Sequence, residues 1–336
     1  MYGRLKKTRT DDSFKDIFVK ICPMKKTFTC LDALRLIPKE LLASLEEPYS
    51  VNYGVSKLKA EVFFKLLLYG LLESEKLSLR VLEEVYNSNK DFQVVTGKSE
   101  NQVTRHSSIA DRINTINPKY FEEIFRHLSE EAQYSNNEKK AIEVVKVDST
   151  LIKISARLMQ IGLKNMGRGD NKHIKYTVAL SDTPINARVY TKPMYMSEEL
   201  ALKELIQNTY LNVESIVVFD RGLQNRRTLE SFSKEGILFV TRLKEKFRHK
   251  VIKTHKIIKG RITHTLTLQT DEIIELKDGD GRRVKTPFRL ITAVDKKGNI
   301  ITFLTNVIQL NAREITYIYR ERWEVEIFFK FVKQYL

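Results

Sequence analysis

Apolar residues in the first 140 positions recur at three- and four-residue intervals, the spacing that lines one face of an α-helix. Lys57 to Leu72 carries that pattern, and Leu77 to Tyr86 resumes it after a polar break. Val103 to Asn114 places serines where a helix N-cap belongs and presents Arg105, His106, Ser108 and Arg112 near a short helix start. Pro118 suits the first turn of a further helix, which the pattern carries to about Gln133. These helices make either a plain bundle or a helix-turn-helix-like unit.

From Glu143 the period shortens to that of strands. Val144 to Asp148, Lys175 to Leu180 and Ala187 to Tyr190 read as three strands, followed by a helix from Glu198 to Asn208. Ser215 to Asp220 is a strand, Asn225 to Lys234 a helix and Gly236 to Thr241 a strand, which gives the order β-β-β-α-β-α-β. Hairpin signals come next: alternation at Thr263 to Thr267, a turn at Asp278 to Gly281, and Lys297-Gly-Asn299 between two apolar runs. The expected division is a helical N-terminal domain (1–140), an α/β core (141–241), a β-rich insertion (242–305) and a final helical segment (306–336).

In that last segment ionisable residues are threaded through large apolar ones. At about 100° per residue, Tyr319, Arg322, Glu326 and Lys333 share an arc of roughly 60°. Trp323, Ile327 and Phe331 flank the stripe, and Val325, Phe328 and Val332 cover the far side. A helix apolar around most of its circumference is usually buried, so its stripe is expected to face a cavity or ligand. The alternative is a solvated face on which Arg322 and Glu326 form an i,i+4 pair.

Charge sharpens the picture. Among 336 residues, 58 Lys and Arg oppose 42 Asp and Glu, an excess of 16 positive charges that suits a polyanionic partner. Residues 242–312 hold 16 of the basic and 7 of the acidic side chains, more than half of the excess. Within them Arg242 to Arg261 includes Lys244, Lys246, Arg248 and Lys250, a density that fits a phosphate backbone or a solvated loop. No run of eighteen apolar residues and no signal peptide stands out, so a cytoplasmic protein without a membrane segment is expected. Cys22 and Cys30 have no histidine cluster nearby and read as ordinary thiols rather than zinc ligands.

Asp148 and Asp220 each end an apolar, β-branched run, where α/β proteins place their sites. Either one alone could be a turn or cap residue. Together with Glu326, in a strongly basic chain, they form the oxygen-donor set expected for hard divalent cations acting on phosphates.

Asp148-Ser-Thr, Asp220-Arg-Gly and Tyr319-x2-Arg322-x3-Glu326-x6-Lys333 together resemble the DDE transposases of bacterial insertion sequences, specifically the insertion-sequence-four group. The resemblance covers roughly residues 141–336. It implies an RNase H-like mixed sheet flanked by helices and interrupted by a β-rich insertion. Asp148, Asp220 and Glu326 would hold two Mg²⁺ or Mn²⁺ ions. Tyr319, Arg322, Lys333 and Arg221 would contact phosphates of double-stranded DNA, with a homodimer pairing two transposon ends. Many relatives carry Glu and Met after Asp220-Arg, where this chain has Gly222 and Leu223. Some relatives stack a Trp of the insertion on a flipped base. Here the one Trp is Trp323 in the final helix, and Phe247 is the aromatic residue at hand in the insertion. Relatives usually continue well beyond the last Glu, whereas ten residues follow Glu326, which suggests a shortened product.

Overall fold

A computed structural model describes residues 29–74, 76–135, 142–154, 163–164, 172–243, 247–257, 265–277 and 281–335. The chain divides into two units within one long helix, between Phe125 and Arg126.

The first unit is helical throughout its described part: α1 (Cys30–Leu36), α2 (Lys39–Ser44), α3 (Ala60–Glu73), α4 (Leu79–Ser88), α5 (Lys90–Thr96) and α6 (His106–Thr115), then α7 (Lys119–Ser135), in which the division falls. Local chemistry explains several ends. Ser78 and Asn89 cap α4 and α5 through bonds from Val81 N and Phe92 N, and Gly97 closes α5 at φ 66, a conformation that costs a residue without Cβ little. The expected serine cap of α6 is not formed. Arg105 occupies the cap position without a side-chain bond, and the Glu83 carboxylate accepts from His106 N at 3.1 Å instead. Cys30 is buried, and burial, reinforced by Glu73, pushes its thiol up to about 11. Cys22 lies outside the described residues.

The second unit is built on one mixed sheet. Its strands are β1 (Val144–Lys153), β2 (Leu163–Lys164), β3 (Lys172–Leu180), β4 (Pro184–Tyr190), β5 (Ile216–Phe219), β6 (Leu238–Arg242), β7 (His249–Thr254), β8 (Leu266–Lys277), β9 (Arg283–Asp295) and β10 (Ile300–Thr305). The order is β2-β3-β1-β5-β6-β10-β9-β8-β7, with β4 also paired to β3. β1, β5 and β6 run parallel to one another, and β3 and β10 are antiparallel to their inner neighbours. The helices are α8 (Glu198–Gln207), α9 (Arg226–Lys234), α10 (Ala312–Glu321) and α11 (Trp323–Tyr335). The segment read as an insertion extends the sheet: β10 pairs with β6, and Ile274, Phe288 and Leu290 join the core that contains Val145 and Val217.

Strand alternation sorts the helices onto the two faces. Val145, Val147, Val217 and Phe219 pack with Leu202 and Leu205 of α8 and Leu229 and Phe232 of α9. On the opposite face Ile216 and Val218 meet Ile315 and Ile318 of α10, while Val178 and Leu180 meet Val325 and Phe329 of α11. Burying a side chain such as Val325 or Phe329 contributes roughly 1.5–3 kcal/mol, so this pair fixes α11 on the sheet. Buried Lys146 adds a polar tie, donating to Ser181 O at 2.8 Å and lying 3.0 Å from Glu324 of α11.

Three sequence expectations change. β1 continues through Asp148 to Lys153, so Asp148 stands inside a strand, opposite Val178 of β3. Ser149 and Thr177 share a hydroxyl hydrogen bond of 2.8 Å across that pair of strands, which sustains pairing where the apolar run stops. The final helix is two helices, with i→i+3 bonds at Arg322 N and Arg322 O tightening the junction. Finally, α11 is buried along one stripe rather than most of its circumference, for Trp323 is 62% and Ile327 50% exposed. No helix among the described residues is long and apolar enough to cross a membrane.

Candidate active site

β1 and β5 pair in parallel with Val144 beside Ile216 and Lys146 beside Val218. Continued by two residues, that register sets Asp148 next to Asp220, both on the α10 and α11 face and at the carboxyl end of β5. Short local bonds orient both carboxylates. Asp148 Oδ1 accepts from Ser149 N at 2.7 Å, and Asp220 Oδ1 accepts from Gly222 N at 2.6 Å. A third carboxylate, Glu198, comes from the first turn of α8, and oxygens of the three groups lie within 4.8 Å of one another.

Crowding like charges in a partly buried place favours protonation of one of them. Burial first, with Asp220 and Glu198, pushes the Asp148 carboxyl up to about 7 against the lowering effects of Ser149 N and Arg322. Clustered carboxylate oxygens are the donors that Mg²⁺ and Mn²⁺ prefer, and a cation there would relieve the repulsion. The residues thus fit a divalent metal centre.

α11 closes the site from one side. Arg322 Nη1 lies 3.6 Å from Asp148 Oδ2, and Nη2 donates to Glu326 Oε1 at 2.5 Å. The i,i+4 ion pair and the site wall, alternatives in the sequence, are therefore one arrangement. Burial alone would lower the Arg322 pKa, but Glu326, Tyr319 and Asp148 outweigh it and raise it. Arg322 Nε is buried without a hydrogen-bond partner, and so is Arg242 Nε at the end of β6. Tyr319 sits beneath them: its ring is 5.3 Å from that of Phe303 and 5.9 Å from the Arg322 guanidinium, and burial raises its phenol pKa.

The other expected residues fall apart into separate places. Lys333 is exposed towards the end of α11, and Arg221 is exposed in the turn after Asp220. Arg248 and Lys250 are exposed at the outer strand β7, whereas Lys244 and Lys246 lie outside the described residues. Phe247 packs against the core and stacks on His249 at 4.8 Å. Arg105 is exposed in the helical unit. Arg112 is not presented as a reader: it is buried, donates to Leu58 O at 3.0 Å and Val51 O at 2.6 Å, and lies against the Phe63 ring.

Two participants were not foreseen. Glu198 follows Ser197 at a helix start, where acidic residues are common, so nothing marks it locally. Arg242 was read as one cation of a basic run.

Residues 139–336 match the Transposase DDE domain family. The chain is 30% identical over 125 residues to a protein described as a transposase for insertion sequence element IS5377 from Geobacillus stearothermophilus; that stretch is 37% of this chain and 32% of the relative. It is 29% identical over 119 residues to y4zB of Sinorhizobium fredii, also described as a transposase, covering 35% of this chain and 33% of the relative. The chain thus spans about a third of the length of the curated relatives it matches. With the family match extending over more than half of its residues, the chain belongs to the transposase DDE domain family.

Proposed function

We propose that the protein is a metal-dependent DNA transposase that cleaves and joins phosphodiesters at the terminal inverted repeats of an insertion sequence. The observation that carries this reading is the placement of Asp148 and Asp220 side by side, with Arg322, at the junction of α10 and α11, set against Asp148 and bonded to Glu326 of α11. The order β4-β3-β1-β5-β6, with β3 antiparallel among parallel strands, fits an RNase H-like core. The Tyr-Arg-Glu-Lys spacing supports the insertion-sequence-four group.

Asp148, Asp220 and Glu326 are the proposed ligands of Mg²⁺ or Mn²⁺. Two such ions, when bound, would activate a water or 3′-hydroxyl and stabilise the leaving oxygen of the phosphodiester. The protein's own part is positioning and charge. The buried, unpartnered Nε groups of Arg322 and Arg242 supply donors for phosphate oxygens, and the planar Arg322 fork can take two oxygens of one phosphate. Tyr319 fixes the Arg322 plane from below, and Lys333 and Arg221 add exposed positive charge nearby along the chain. β7 and the basic run before it offer a second set of phosphate contacts, and a homodimer would pair two DNA ends.

The test is a cleavage and strand-transfer assay with Mg²⁺ or Mn²⁺ on supercoiled DNA carrying the inverted repeats that flank the gene. Asp148→Asn, Asp220→Asn and Glu326→Gln should each abolish both products while leaving DNA binding intact. Equal cutting by the three variants would show that the site is misassigned. Nicking that never leads to joining would indicate a nuclease, and binding without cutting by the parent chain a regulator of transposition.

A further inference from the structure

The turn after Asp220 packs on Glu198 so closely that no side chain fits between them. A β-carbon added at Gly222 would stand 2.4 Å from Glu198 Cδ and 2.7 Å from Oε2. Gly222 also donates its backbone N–H to Asp220. One residue therefore orients the Asp220 carboxylate and leaves the slot through which Glu198 reaches it.

The two acids that open α8 behave differently. Glu199 turns to hydrogen-bond donors, Thr228 and Asn225 at the start of α9. A helix N-terminus stabilises an acid in its first turn, which accounts for a position like that of Glu199. It does not account for Glu198, whose oxygen is drawn to within 4.8 Å of two further carboxylates. Glu198 also crosses from the α8 side of the sheet to residues on the α11 side. Its approach is built: buried Lys175 on β3 donates to Met196 O at 2.8 Å, anchoring the turn that delivers Ser197 and Glu198. Glu326 Oε1 accepts from Arg322.

We infer that Glu198 is a metal-ligating carboxylate of the Asp148 and Asp220 centre, admitted by the absence of a side chain at Gly222. The inference rests on the proposed reading of that aspartate pair as metal ligands. It gives the centre a ligand from α8 that is in place while Glu326 is still held by Arg322.

The experiment is Mn²⁺ binding by the full chain without DNA, followed by electron paramagnetic resonance of free Mn²⁺ and by the metal-induced rise in melting temperature. Gly222→Ala is the informative variant. Gly222 does not need a left-handed backbone, and the added methyl meets only the far end of a flexible side chain, so the fold is retained while the Glu198 carboxylate is displaced. Glu198→Gln and Gly222→Ala should each weaken Mn²⁺ binding about tenfold or more, with melting in EDTA unchanged or raised by relief of repulsion. Parent-like binding by Glu198→Gln, with binding lost in Asp148→Asn, would overturn the role of Glu198 and leave the aspartate pair standing. Parent-like binding by Asp148→Asn and Asp220→Asn would instead overturn the underlying reading of the site.

Discussion

Inside the helical unit the Arg112 guanidinium donates to the Val51 and Leu58 carbonyls. Arg112→Met keeps the apolar stem but strands two buried acceptors, so it should cost roughly 2–5 kcal/mol in urea unfolding of that unit. A loss below 0.5 kcal/mol with DNA binding abolished would restore the reading role the sequence suggested. The charged centre makes a second residue-scale prediction. Asp148 has its pKa raised to about 7, above the roughly 4 of an unfolded aspartate, so the folded state holds an extra proton between those values. The stability this contributes is complete below about pH 4 and is lost as the pH rises through about 7. Melting in EDTA should fall across that window in the parent and flatten in Asp148→Asn. Metal competes with the same proton, so Mn²⁺ affinity should climb with pH and level off above about 7. A pH-independent affinity from 5 to 8 would argue against Asp148 as a ligand.

Elements bring these residues together through contacts that sequence periodicity reveals unevenly. α3, α4 and α7 and the parallel strands were legible because their apolar positions keep a single period, whereas the short α1, α2 and α5 were not read, and Asp220 was legible because its strand stops there. Asp148 was misplaced within its strand because the pattern turns polar at Ser149, where pairing is sustained by the Thr177 hydroxyl instead. The junction at Arg322 carries neither Gly nor Pro, so nothing announced that α10 and α11 are separate. β7 was not legible either: all six of its residues are exposed, and it has no apolar alternation. One buried ion pair links the added strands to the approach to α10. Arg289 on β9 forks onto both oxygens of Asp271 on β8, at 2.8 and 2.7 Å, and also donates to Ile308 O and Leu310 O just before α10. Arg289→Met leaves the buried Asp271 carboxylate with His255 Nδ1, at 3.4 Å, as its remaining partner and should cost up to about 5 kcal/mol. Hydrogen exchange should then rise first at residues 308–314, ahead of β1 and β5. Uniform loss of protection across the sheet would mean that the pair does not specifically hold the α10 approach.

At the scale of the whole molecule, more than half of the positive excess lies in residues 242–312, away from Asp148 and Asp220 in sequence. Such a division would keep the proposed carboxylate centre and the proposed phosphate-binding segment from cancelling each other's charge. Reversing Lys250 and Lys253 to Glu should weaken binding to any duplex and lower the slope of log affinity against log salt by about two or more. An unchanged slope would place the phosphate contacts elsewhere. The same outer strand bears on how the protein behaves when no nucleic acid is present. Among the described residues β7 ends the sheet, so along its outer edge backbone N–H and C=O groups have no neighbouring described strand, with Val251 and Ile252 exposed among them. An open edge of that kind invites pairing with a second chain, and lysines are what keep such edges apart. Concentrated protein in high salt, where that mutual repulsion is screened, should therefore self-associate edge to edge.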